Sequence, residues 1–131
     1  LALHNYHDAI GRLPNGNSPY TSAFPYEGSW SWMIQIAPYI EQDAAYKQAK
    51  TFASSGGTNW YSWYNPQCAN ILSMFICPSD TRGTQKYIGA PSGISDQALT
   101  CYLGNSGTLA TSFDGVLFQN SKAIIFNINA I

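Results

Sequence analysis

Leu3, Tyr6 and Ile10 are apolar positions set among His4, Asn5, His7 and Asp8. That spacing predicts a helix over Leu1 to Ile10, and Gly11 followed by Pro14 predicts its stop. The pattern has an end signal but no entry signal, so these residues are expected to be the last turns of a helix that begins upstream. Gly11 to Gly28, rich in Gly, Pro, Asn and Ser, reads as loop. A second helix is expected from Trp30 to Tyr39, with Pro38 kinking or briefly breaking it. A third runs from Glu41 to Phe52; Ala44, Ala45, Tyr46, Ala49 and Phe52 form its apolar side, and Lys47 and Lys50 favour its C-terminal end.

Beyond the helices the pattern shortens. Ala53 to Pro66 reads as loop, and Asn70 to Cys77 as a short buried strand ended by Pro78-Ser79-Asp80. Gly83 to Gln97 reads as a polar excursion. Leu99 to Gly104 and Val116 to Phe118 are expected to pair as antiparallel strands, with Asp114-Gly115 as the turn signal before the second. Lys122 to Ile131, rich in Ile, predicts a last strand. Helices followed by short strands predict an α+β fold, one domain over 1–131, with helices on one face of a small antiparallel sheet.

Composition narrows the function class. Hydrophobic residues make up 45% of the chain, aromatics 15% and charged residues only 10%. Soluble proteins average about 25% charged, so this is the surface of an extracellular or assembly protein. A formal net charge of −1 offers nothing to a phosphate backbone, so no nucleic-acid partner is expected. No run of apolar residues is long enough to span a membrane within the sequence. Catalytic signatures are equally sparse: there is no Gly-x-Ser-x-Gly elbow, no phosphate loop after Gly104 and Gly107, and no Cys-x-x-Cys-His for haem. No enzyme activity and no cofactor are expected.

Five stretches carry a resemblance. They are Leu1-Ala2-Leu3-His4-Asn5-Tyr6-His7-Asp8 with Pro14; Ser31-Trp32 through Pro38-Tyr39-Ile40-Glu41-Gln42; Phe75-Ile76-Cys77-Pro78-Ser79-Asp80; Tyr102-Leu103-Gly104-Asn105-Ser106-Gly107-Thr108; and Asp114-Gly115-Val116-Leu117-Phe118. In this order they resemble the bacterial pilin-like proteins long catalogued as a domain of unknown function. Those proteins carry a prepilin-type cleavage and methylation segment and, in many members, an H-x9-DG motif. The resemblance implies a type IV pilin or pseudopilin head, with residues 1–10 the end of a stem helix whose hydrophobic part lies in the membrane or in a filament. Neither the hydrophobic stem nor the H-x9-DG motif is in this sequence. The family's Asp-Ile-Thr-Asp-Gly-Thr-like tail is replaced by Asn127-Ile128-Asn129-Ala130-Ile131.

The implied role is a structural subunit, extracytoplasmic or on the cell surface, of a type IV pilus-like filament or a type II secretion pseudopilus. Its partners would be copies of itself or related subunits, and the membrane through the stem. The alternative is an extracytoplasmic module that binds polysaccharide or secreted cargo.

The resemblance also bears on the cysteines. Family members commonly place a cysteine on the stem, which would pair with Cys77 and leave Cys68 and Cys101 to pair together by analogy with disulfide use outside the cell. Such a staple stabilises by about 2–4 kcal/mol. Three free thiols are the other reading.

Three further groups have two readings each. His4, His7 and Asp8 share a helix face that suits zinc, yet the same residues serve as hydrogen-bonding groups where a helix leaves a stem, and the structural reading is preferred. Asp80, Asp96 and Asp114 sit near turns, where calcium would need more oxygens than they supply. Trp60, Tyr61, Trp63 and Tyr64 form the densest aromatic cluster, open to subunit contact, core cover or glycan stacking. Trp30 and Trp32 are expected in the core.

Overall fold

The computed structural model describes residues 1–17, 30–57, 59, 61–82, 84–88, 94–109 and 114–117. Helix α1 covers Ala2–Ile10 and ends at Gly11, whose φ of 80° is the left-handed conformation that glycine adopts without penalty. The Gly11 N–H donates to His7 O at 2.6 Å and closes the last turn. Of the three apolar residues read as the helix face, Leu3 and Tyr6 are half-buried, whereas Ile10 is 51% exposed. The chain turns away at Gly11, and Leu13, 4% exposed, is the residue that enters the core there.

The segment after this turn is held to the next helix by a polar clasp. The Gln35 side chain accepts from the Asn15 N–H at 3.2 Å and donates to Asn15 O at 2.8 Å and Trp30 O at 3.1 Å. Arg12 donates to Asn15 Oδ1 at 2.8 Å, and the Trp32 N–H to Gly16 O at 3.1 Å. Helix α2, Trp32–Gln35, then yields to a 3-10 turn over Ala37–Ile40 with Pro38 in its first positions. The break expected from Pro38 is present, because proline has no N–H to continue the α-helical ladder.

Helix α3, Asp43–Ser54, starts on an acidic residue, which suits the positive end of the helix dipole. Its inner side is built from small residues: Ala49 and Ala53 are 2% and 1% exposed. Trp30, 2% exposed, fills the space they leave and meets Tyr46 edge-on at 5.7 Å. Asn65 is also buried, at 2% exposure; its amide donates to Ala49 O at 2.9 Å and accepts from the Gln67 N–H at 3.1 Å. A buried polar side chain satisfied at both ends positions the following turn instead of destabilising it.

Three 3-10 turns follow, over Ser62–Tyr64, Pro66–Ala69 and Ser73–Phe75. The last replaces the strand expected over Asn70 to Cys77. The Phe75 N–H donates to Leu72 O at 2.9 Å and Ile76 N–H to Ser73 O at 3.1 Å, so local turn bonds take the groups a ladder would need. Ile71 and Met74 are consequently exposed, at 37% and 47%.

Strand β1, Lys86–Tyr87, pairs antiparallel with β2, Gln97–Ala98, in the register Lys86↔Ala98 and Tyr87↔Gln97. Both strands lie next to the expected position. β1 falls inside the stretch read as a polar excursion, and β2 ends just before the strand expected over Leu99 to Gly104. The 116–117 segment does run beside 105–106, through Leu117 N–H to Asn105 O at 3.0 Å and Gly115 N–H to Ser106 O at 3.2 Å, without forming a strand. Phe118 and the strand expected over 122–131 lie outside the described residues.

The class is therefore α+β. Helix α3 packs on the turns Ala37–Ile40 and Pro66–Ala69, and Pro66–Ala69 also meets β2, so 3-10 turns stand between helix and sheet. Among the described residues no helix is long and apolar enough to cross a membrane.

Candidate interaction cleft

The five sequence stretches that carried the resemblance come together in space. Tyr6 on α1 meets Tyr39 edge-on at 5.6 Å, joining the first stretch to the second. Trp32 at the start of α2 meets Phe75 of the third at 5.9 Å and 78°. Phe75 O then accepts from the Cys101 N–H at 2.9 Å and the Thr100 hydroxyl at 3.1 Å, which draws in the run leading to the fourth stretch. Gly104 lies against Trp32 and Leu117: a Cβ there would stand 3.1 Å from the Trp32 ring and 3.2 Å from Leu117 Cβ.

The fourth and fifth stretches are clamped together. Asp114 accepts from the Thr108 N–H at 2.7 Å and from its hydroxyl at 2.9 Å. Gly115 passes so close to the facing backbone that a Cβ would lie 2.4 Å from Asn105 O. These residues hold the 105–108 and 114–117 segments to one another, and the physical role of each is positional.

Around this junction lies a half-open cleft of about 590 Å³. Trp30 and Ile34 from the helical side, Leu72 and Phe75 from the turns, and Leu99 and Leu117 from the extended segments form its apolar walls. No Asp, Glu, Lys, Arg or His is among the described residues that line it. Trp30 lies in the interior as expected, at 2% exposure, whereas Trp32 is only half-buried and lines the cleft, whose walls come from segments tens of residues apart and so left no local pattern.

The aromatic turn sits beside β2. Tyr61 and Trp63 stack at 4.3 Å and 22°, and Tyr64 meets both at 6.3 Å. Trp63 is 38% exposed, while Tyr61 and Tyr64 are half-buried. The backbone is pinned from the strand side, by Ser95 N–H to Trp63 O and Ser95 hydroxyl to Tyr64 O, both at 2.9 Å. Trp60 lies outside the described residues.

The Cys68–Cys101 bridge expected from the resemblance is not formed; Cys68, Cys77 and Cys101 are all free thiols. Each of the two has a different neighbour. Cys68 Sγ donates to Ser62 O at 3.0 Å, inside the turns that carry the aromatics, whereas Cys101 Sγ donates to Asp80 Oδ2 at 3.4 Å. Burial pushes the Cys68 thiol up, and Cys101 is exposed. Only the thiolate reacts, so iodoacetamide is expected to alkylate Cys101 first and Cys68 last in the reduced chain. A mass-spectrometric time course reads the order; Cys68 labelling as fast as Cys101 would contradict this placement.

Asp80 is engaged by Arg82, whose Nε and Nη2 each donate at 3.0 Å and whose backbone N–H donates at 2.9 Å. These bonds, with a smaller contribution from Cys101, hold the Asp80 carboxyl well below the usual carboxylate range. Asp80 and Asp114 thus each serve a local turn, and Asp96 is half-buried. On α1, His7 Nδ1 lies 3.4 Å from Asp8 Oδ1 and His4 is exposed. No group of three metal-ligating side chains gathers among the described residues.

The family described as "Protein of unknown function (DUF1559)" matches residues 1–129. No curated protein and no solved structure matches the chain.

Proposed function

The chain belongs to the DUF1559 family of proteins of unknown function, and we propose that it is the head of a structural subunit in an extracytoplasmic filament of type IV pilus or pseudopilus kind. The observation that carries this reading is a charge-poor surface bearing large exposed apolar side chains. Leu103 is 90% exposed, Ile88 71%, Leu109 70% and Tyr87 58%. Solvated side chains of this kind gain from contact with a second copy, since interface cores are depleted in charge and enriched in aromatics. The contact would be heterologous, with a rotation that does not close into a ring, so it would repeat along a filament.

In this reading α1 continues upstream into an apolar stem. A stem apolar all round is stable only in the membrane or in a bundle of like stems. The motif residues support the same role, because Trp32, Phe75, Gly104, Asp114 and Gly115 hold segments in place. The second reading, a module binding polysaccharide or cargo, draws on the exposed Trp63 face stacked on Tyr61.

Electron microscopy of the native material tests the proposal. Filaments with helical density running inward from Leu1 to packed stems are expected. Discrete particles with no density leading from Leu1 would overturn the filament reading in favour of the binding module.

A further inference from the structure

We propose that the cleft beside Trp32 and Phe75 binds an uncharged, ring-bearing hydrophobic small molecule. This goes beyond the filament reading and does not depend on it.

The volume is the first support. About 590 Å³ falls within the roughly 300–1,000 Å³ typical of small-molecule sites. The second support is the wall chemistry. Trp32, Phe75 and Tyr102 supply aromatic surface, which favours rings through offset or edge-on contact. Trp32 is fixed edge-on to Phe75, and Phe75 O is held by Cys101 and Thr100, so these walls are preorganised.

The described lining residues carry no charge, and this decides the ligand class. A charged ligand entering the cleft would lose hydration and meet no opposite charge among the described lining residues. The polar groups present are amides and hydroxyls, including Asn70, Gln97 and Thr100, which suit one or two neutral hydrogen-bonding groups. Access is through the rim, where Leu99 is 40% exposed and Tyr102 48%.

Two ring-bearing dyes read the proposal on the full 131-residue chain. Neutral Nile red is expected to bind saturably at one per chain, with blue-shifted emission and quenching of tryptophan fluorescence. The anionic dye 8-anilinonaphthalene-1-sulfonate is expected to bind at least tenfold more weakly. Leu99→Asp and Ser106→Lys each put a charge on an exposed residue that lines the cleft, and circular dichroism checks that each variant folds; each is expected to weaken Nile red at least tenfold. Ile10→Asp, on an exposed apolar position away from the cleft, should leave it unchanged.

Non-saturable binding, equal affinity for both dyes, or rim variants that bind like the parent would overturn the proposal. So would sedimentation showing dimers that Leu99→Asp dissolves while the parent binds no dye, since the cleft would then be filled by a second copy.

Discussion

Trp30→Ala is expected to lower stability by about 3–5 kcal/mol, the usual cost of truncating a buried aromatic residue. Trp30 is 2% exposed and stands at the meeting point of everything that gives the chain its interior. Its ring meets Tyr46 at 5.7 Å, lies on Ala49 and Ala53 of α3, and its carbonyl accepts from Gln35. The small alanines cannot close over the space, because their facing backbone is helix and cannot collapse inward. A domain is stable by only about 5–15 kcal/mol, so this single change removes a large share of the total. Thermal unfolding by circular dichroism should show a midpoint lower by roughly 10–20 °C. Trp63→Ala, at a 38% exposed position, is the control and should cost about 1 kcal/mol. Equal losses from the two would mean that Trp30 is not the centre of the core.

Gly115→Ala is the second large effect, at about 3 kcal/mol, and its origin is steric. The added Cβ would stand 2.4 Å from Asn105 O, 2.5 Å from Ser106 C and 2.6 Å from Gly107 N. All three atoms are backbone, so no side chain can swing aside. The seam has to open, and the bonds from Gly115 N–H to Ser106 O and Leu117 N–H to Asn105 O go with it. Each such bond contributes about 1 kcal/mol. Leu117 would also leave the wall it shares with Gly104 and Trp32. Gly104→Ala provides the comparison. There the tightest contacts are with the Trp32 and Leu117 side chains at 3.1–3.2 Å, which can yield by a few tenths of an ångström. Its cost should be nearer 1 kcal/mol. Denaturant melts of the two variants give the ranking; Gly104→Ala as damaging as Gly115→Ala would refute the backbone clash.

The Gly115 constraint bears on how the candidate site is read. Asp-Gly was legible as a turn signal, and the turn reading captured why glycine appears there only in part. The stronger reason is the close approach of the 105–107 backbone, which no local pattern announces. The same applies to Gln35. In sequence it is a polar residue on a predicted helix, and in the fold its amide joins Asn15 to Trp30. The cysteines left two readings open, a Cys68–Cys101 bridge and free thiols, and the choice depends on neighbours that the spacing does not show: Cys68 faces Ser62 O and Cys101 faces Asp80.

What could be read directly from the chain was local. The stop of α1 at Gly11, the interruption at Pro38 and the span of α3 each depend on a glycine φ, a missing N–H or a 3.6-residue repeat. Those causes act within a few residues, so they leave a mark in the sequence. The α+β class followed from the same signals. Strand position, thiol environment and the cleft depend on partners far along the chain. β1 and β2 are two residues each, too short to show alternation, and they exist because Lys86 finds Ala98 and Tyr87 finds Gln97. The cleft arises where Trp32, Phe75, Gly104 and Leu117 converge. Such meetings are set by packing across the whole fold, and packing leaves no periodic trace in the chain.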